Sequence, residues 1–213
     1  ADHADGCATI AVCDGRSGNR GAAVGVIGTV DDTFTLRVAV AADVPALNQL
    51  IAESATALSR GYYSAPQIAA LVQFVFGVDT QLIRDGSYFV LERAGMAVAC
   101  GGWSARATLY GGDQDKPDAD PRLDPACDAA RIRAFFVHPT AARQGLGRRL
   151  LSHCERQASA AGFRSAELVA TLPGVPLYRA LGYAPIEVMS RTLPDGTPVE
   201  FLRMGRSFDM PAT

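Results

Sequence analysis

Metal-ligating and redox chemistry have little to stand on in this chain. Its three histidines, His3, His138 and His153, are too scattered to gather a metal, so no metal cofactor is expected. Its five cysteines, Cys7, Cys13, Cys100, Cys127 and Cys154, contain no CxxC pair and no zinc-like spacing. They read as free thiols in a reducing compartment, which makes the cytoplasm the expected location. No run of about 18 apolar residues occurs, so no membrane span and no membrane partner is expected. The net charge of −2 removes any global pull toward nucleic acid or anionic lipid. Arg143, Arg148 and Arg149 form a local basic cluster without a broader basic stripe. The opening stretch ADHADGCATIAVCDGRSGNRG lacks the basic-then-apolar layout of a secretory signal. No Ser-His-Asp or Cys-His arrangement calls for a covalent intermediate.

What is present is enough apolar material for a real core, 48% of 213 residues, which suits one good-sized domain. Residues 1–33 are rich in Gly, Ala and Asp and read as a weakly structured leader, with a short added strand as the alternative. Gly21, Gly25 and Gly28 do not match a dinucleotide fingerprint. The domain is expected over 34–213. FTLRVAVA (34–41) is β-branched and apolar, a first strand. Asp43 is placed to cap a helix whose Leu47, Leu50, Ile51 and Leu58 keep helical spacing. Ser64 and Gln67 form a capping box for a second helix. SYFVLER and AVACGGWSA flank AGM as a hairpin, and an Asp- and Pro-rich connection follows over 110–130. RIRAFFVH is a strand stopped by Pro139. A long helix closed by Gly162, the strand FRSAELVA, a short helix in GVPLYRALGY and a final hairpin around Pro194-Asp195-Gly196 complete the chain. The expected order is β, α, α, β, β, β, α, β, α, β, β, a mixed α/β sheet with helices on both faces.

One helix start is unusual. In HPTAARQGLGRRLL the helix opens on Gln144-Gly145-Leu146-Gly147 with no Ser, Thr, Asp or Asn to cap it. A helix start leaves four backbone N–H groups without partners. Glycine is a poor helix former, at about 1 kcal/mol relative to Ala in a helix interior. Uncapped amides, the positive end of the helix dipole and the flanking Arg143 and Arg148 favour an anion, and residues without Cβ let it approach closely. A tight strand–helix turn that needs glycine for its backbone angles is the competing reading. No Lys-Ser/Thr follows, so this is not a P-loop, and GLGRRL lacks the third glycine of a Rossmann fingerprint.

These residues resemble the pyrophosphate-binding motif of the GNAT superfamily of N-acetyltransferases, and LYRALGY resembles that superfamily's later Tyr-containing motif. The resemblance spans about residues 34–206 by element order. It implies a largely antiparallel sheet splayed between two central strands, and acetyl-CoA as co-substrate. By the same resemblance Phe135, Phe136 and Val137 would hydrogen-bond the pantetheine arm. Arg143, Gln144, Gly145, Leu146, Gly147 and Arg148 would hold the pyrophosphate, and Tyr178 would protonate the leaving thiolate. Two positions depart from the pattern. Ala142 stands where an Arg or Gln is usual, and Thr171 where an Asn is frequent, with Thr171 still able to cap the short helix and touch the cofactor. The implied reaction is acetyl transfer to a primary amine of a small molecule or peptide by direct attack; a non-catalytic acyl-CoA-binding domain is the alternative, and a homodimer is a possibility the family suggests. His138, Glu92 and Asp113 are the residues weighed as base. Tyr62, Tyr63 and Trp103 are candidates for the acceptor pocket, with Asp113, Asp115, Asp118 and Asp120 as candidates to attract a cationic amine. Cys154, on an apolar stripe with Leu146, Leu150 and Leu151, is expected to be packing.

Overall fold

Strand β2 (Tyr88–Arg93) is apolar on both sides because the sheet is covered on both faces. Tyr88 and Val90 face one core, and Phe89 and Leu91 face the other. The structure is a computed structural model that describes residues 34–116 and 120–208. The expectation of a leader over 1–33 falls outside these residues, as do Cys7, Cys13 and Asp118.

Seven strands form one sheet in the order β1 (Thr35–Val38), β2, β3 (Met96–Ser104), β4 (Ala130–Val137), β5 (Ser165–Thr171), β7 (Pro198–Ser207) and β6 (Ala184–Thr192). Every pairing is antiparallel except β4 with β5. Helix α1 (Val44–Leu58) buries Leu47, Leu50 and Ile51 on one face, beside the short helix α3 (Thr80–Arg84). Helix α4 (Leu146–Ala160) buries Leu150, Leu151 and Cys154 on the other, so Cys154 is packing. Helix α2 (Ala65–Phe74) packs its Ile68 and Leu71 against Val199 and Phe201 of β7. The short helix α5 (Val175–Ala180) follows β5.

The expected element order holds, with α3 as the one helix that periodicity missed. Its five residues are too few to display a helical repeat, and its signal was the cap: Asp79 Oδ1 accepts from the Gln81 N–H at 2.9 Å. The box on α2 forms as read, Gln67 Oε1 accepting from the Ser64 N–H at 2.9 Å. Asp43 does not cap α1 with its side chain. It accepts from the Val40 N–H at 2.7 Å and pairs with Arg37, closing a 3-10 turn that feeds the helix and ends β1 early.

Two irregularities shape the middle of the sheet. Strands β4 and β5 pair only at Ala130–Ala166 and Arg131–Glu167 and then part. On the other side of β4, Ala134 and Phe135 together oppose the single Gly101, a β-bulge with Ala134 at φ 54°. Tyr88, fully buried, donates to the Ala134 carbonyl at 3.2 Å and holds the bulge from below. A Cβ on Gly101 would sit 2.6 Å from the Phe135 ring, so the ring lies directly on bare backbone.

Candidate active site

Where β4 and β5 separate, a cavity of about 460 Å³ opens, a volume typical of small-ligand sites. Its wall on the β4 side includes Phe135, Phe136 and Val137, and on the β5 side Leu168, Val169 and Thr171. The loop and first turn of α4 contribute Ala142, Arg143, Gly145, Leu146, Gly147 and Arg148, and α5 contributes Leu177 and Tyr178. Nine of the residues marked from the sequence for cofactor, together with Tyr178, therefore meet in one space. Gln144 is the exception: its amide donates to the Thr140 carbonyl at 3.2 Å, and it does not line the cavity.

The α4 start has no side-chain cap. Its first internal bond is from the Arg149 N–H to the Gly145 carbonyl, at 3.0 Å. The turn before it bends through two left-handed residues, Arg143 at φ 65° and Gly145 at φ 80°. Gly145 is required by its backbone angle, and a Cβ there would meet nothing within 4 Å. Gly147 packs closely under Leu177: a Cβ would lie 2.9 Å from one of its methyls, which would have to shift. The turn accounts for the glycines; the uncapped amides beside Arg143 and Arg148 remain, and they suit an anion. The side chain of Thr171 makes no capping bond, because a 3-10 turn at Leu172–Gly174 starts directly after it.

Tyr178 is 8% exposed, its ring edge-on to Tyr183 at 5.9 Å. Its hydroxyl has no hydrogen-bond partner among the described residues. Burial, with a smaller contribution from Cys154, raises its pKa above the ordinary value of 10.0, so the hydroxyl stays protonated as a donor.

The bases weighed from the sequence are occupied elsewhere. His138 Nδ1 accepts from the Thr140 N–H at 3.3 Å, and Nε2 lies 2.9 Å from Glu53 Oε2. Glu92 pairs with Arg37 at 2.6 Å, and Asp113 accepts from the Thr80 N–H at 3.0 Å. Asp115 pairs with Arg191 at 2.5 Å, and Asp120 accepts from the Thr108 N–H at 2.8 Å. None of them lines the cavity. Of the three aromatics marked for an acceptor pocket, Tyr62 lines it. Tyr63 is a strut, donating to the Glu200 carbonyl at 2.6 Å and accepting from the Leu172 N–H at 3.1 Å. Trp103 packs edge-on to Phe163 at 6.0 Å.

Sequence reading missed Arg133, a buried cation one residue before the bulge. Its two terminal nitrogens donate to the Thr108 carbonyl at 3.1 Å and the Gly111 carbonyl at 2.6 Å. It also forms an ion pair with Asp79 at 3.0 Å, both side chains 1% exposed, and Lys116 reaches the same carboxylate. Burial lowers the Arg133 pKa and Asp79 opposes that shift; a guanidinium stays charged regardless. The segment it straps, Leu109 to Gly112, lines the cavity. The only sequence signal was a pair of arginines, Arg131 and Arg133, in an otherwise apolar strand.

Comparison with known proteins fits this geometry. Residues 84–185 match the family described as acetyltransferase (GNAT) domain. A GCN5-related N-acetyltransferase from Rhodopseudomonas palustris superimposes with a TM-score of 0.61 at 17% identity, over 83% of this chain and 96% of that one. The PaiA N-acetyltransferase of Thermoplasma acidophilum, solved with coenzyme A, gives 0.56 at 11% identity, over 83% and 99%. A GNAT phosphinothricin acetyltransferase from Sinorhizobium meliloti, solved with acetyl-CoA, gives 0.54 at 23% identity, over 82% and 88%. No curated protein sequence matches the chain. At these identities the structural likenesses speak for the fold, and the family match speaks for the central span: residues 84–185 are similar to the acetyltransferase domain of the GNAT family.

Proposed function

We propose that the protein transfers an acetyl group from acetyl-CoA to a primary amine by direct attack. The observation that carries the reading is that Tyr178, a largely buried phenol on the cavity wall, shares one cavity with the uncapped start of α4. The residues present fit the co-substrate. The first-turn amides of α4, with Arg143 and Arg148, would hold the pyrophosphate, and the β4 edge beside the bulge would accept the pantetheine arm as an added strand. Bound acetyl-CoA supplies an acyl group activated as a thioester. The amine lone pair attacks the thioester carbonyl carbon, the C–N bond forms, the C–S bond breaks, and the amine proton is released to solvent, from which Tyr178 regains the proton it gives to the sulfur.

Tyr178 gives the departing sulfur its proton. A thiol of the cysteine kind has pKa about 8.5 and a phenol about 10, so at neutral pH the hydroxyl is protonated and positioned to donate. General-acid contributions of this kind are typically worth 10²–10⁴ in rate. The test is amine-dependent release of CoA. Tyr178→Phe should lower kcat about a hundredfold, with the Kd for acetyl-CoA unchanged by calorimetry. Equal kcat in both proteins would remove Tyr178 from the mechanism. Binding of acetyl-CoA with no turnover on any amine would leave the non-catalytic acyl-CoA-binding domain as the function.

A further inference from the structure

The far end of the cavity, away from α4, is built from different material. Its wall combines Leu58 at the end of α1, Tyr62 after it, Phe76 after α2, Leu109 and Tyr110 of the strapped segment, and Phe201 of β7. Tyr110 and Phe201 stack with ring centres 5.5 Å apart, and Phe76 meets Phe136 of the cofactor strand edge-on at 5.4 Å. The apolar wall is therefore continuous with the strand where the acetyl group would lie. Two buried hydroxyl residues, Ser54 and Ser59, each 4% exposed, supply polar points in it.

No carboxylate among the described residues lines the cavity, and at this end the ionised lining residue is Arg133, already paired with Asp79. Among the described residues that line the cavity, the ionised groups are Arg133, Arg143 and Arg148. The carboxylates nearby stand off the lining: Asp79 pairs with Arg133 and Lys116, Asp115 pairs with Arg191, Asp113 accepts from Thr80 and Asp120 accepts from Thr108 through one of its oxygens. A polyamine or a lysine-rich peptide would bring a second positive charge into a wall that offers no free carboxylate to meet it. A small amine with an aromatic or branched apolar body would fill the wall, and its single ammonium is lost before the transfer.

Resting on the acetyl-transfer reading above, we infer that the acceptor is a small apolar monoamine, of the arylalkylamine type, and that Leu58, Tyr62, Phe76 and Tyr110 set that preference. The bonds made and broken are those already given: N–C forms, C–S breaks, and the products are an N-acetyl amide and free CoA.

The experiment compares phenethylamine and tryptamine with spermidine and a lysine-containing peptide, following CoA release. The wild type should favour the aromatic amines by at least tenfold in kcat/KM. Tyr62 is half exposed, and Tyr62→Ala should raise KM for phenethylamine about tenfold with the Kd for acetyl-CoA unchanged. Leu58 is at the cavity rim, 38% exposed, and Leu58→Glu places a free carboxylate in the wall. It should lower KM for spermidine severalfold and raise KM for phenethylamine. A wild type that prefers spermidine or the peptide, or a Leu58→Glu variant with unchanged preference, would overturn the assignment while leaving acetyl transfer intact. Failure of acetyl-CoA to bind by calorimetry would instead bring down the reading beneath it.

Discussion

At the scale of single residues, the account depends on a phenol that keeps its proton. Tyr178 is buried against Tyr183 and Cys154, and desolvation disfavours its charged form. Its pKa is raised, so the donating form is fully present below the ordinary value near 10 and is lost only as pH climbs through the higher folded value. The rate should therefore rise with pH as the amine deprotonates and should not turn down before about pH 10. A falling limb centred near pH 8 in the kcat profile would contradict this placement of the donor. Residue chemistry was partly legible in the sequence. Tyr178 was visible because a recurrent motif carries it. His138 looked equally eligible as a base, and only the fold shows that Thr140 and Glu53 occupy both of its ring nitrogens. The glycines were ambiguous for a physical reason: a left-handed backbone and a close approach both select Gly, and sequence alone does not separate them.

At the scale of elements, the site is the product of departures from regularity. A bulge in β4, a parallel pair that opens after two residues, and a helix without a cap lie side by side. Caps and hairpin turns were legible because local side chains write them. The bulge was not, because Ala134 carries no mark of a left-handed backbone; tertiary packing from Tyr88 and Phe135 imposes it. The strap was hidden for the same reason, since Arg133 and Asp79 are 54 residues apart in sequence and meet only when α3 closes on the sheet. Removing Arg133 leaves the buried Asp79 to Lys116 alone and strips the Thr108 and Gly111 carbonyls of their donor, and breaking a buried pair costs about 3–5 kcal/mol. Arg133→Met should accordingly lower Tm by roughly 6–20 °C for a domain of this size, and it should raise KM for the amine more than the Kd for acetyl-CoA. A Tm shift under about 2 °C would mean that the pair does not secure the segment.

At the scale of the whole molecule, one sheet joins two halves with different legibility. The half around β4, α4 and α5 lies within the residues that match the GNAT family, and the cofactor site proposed for it rests on two short motifs. Much of the wall proposed for the acceptor comes from α1, the α1–α2 connection and β7, outside that span, and is assembled from residues up to 147 positions apart, Ser54 to Phe201. No motif records such a wall; it exists only once Phe76 has met Phe136 and Tyr110 has met Phe201. Both halves serve the same claim, that acetyl-CoA completes the start of α4 and fills the opening between β4 and β5. The direct measurement is a calorimetric titration with acetyl-CoA of the wild type and of Gly145→Glu, whose carboxylate would project where a Cβ now meets nothing. Saturable binding by the wild type, weakened at least tenfold in the folded variant, is the predicted result. Absence of binding to the wild type, or equal affinity in the two proteins, would contradict the account.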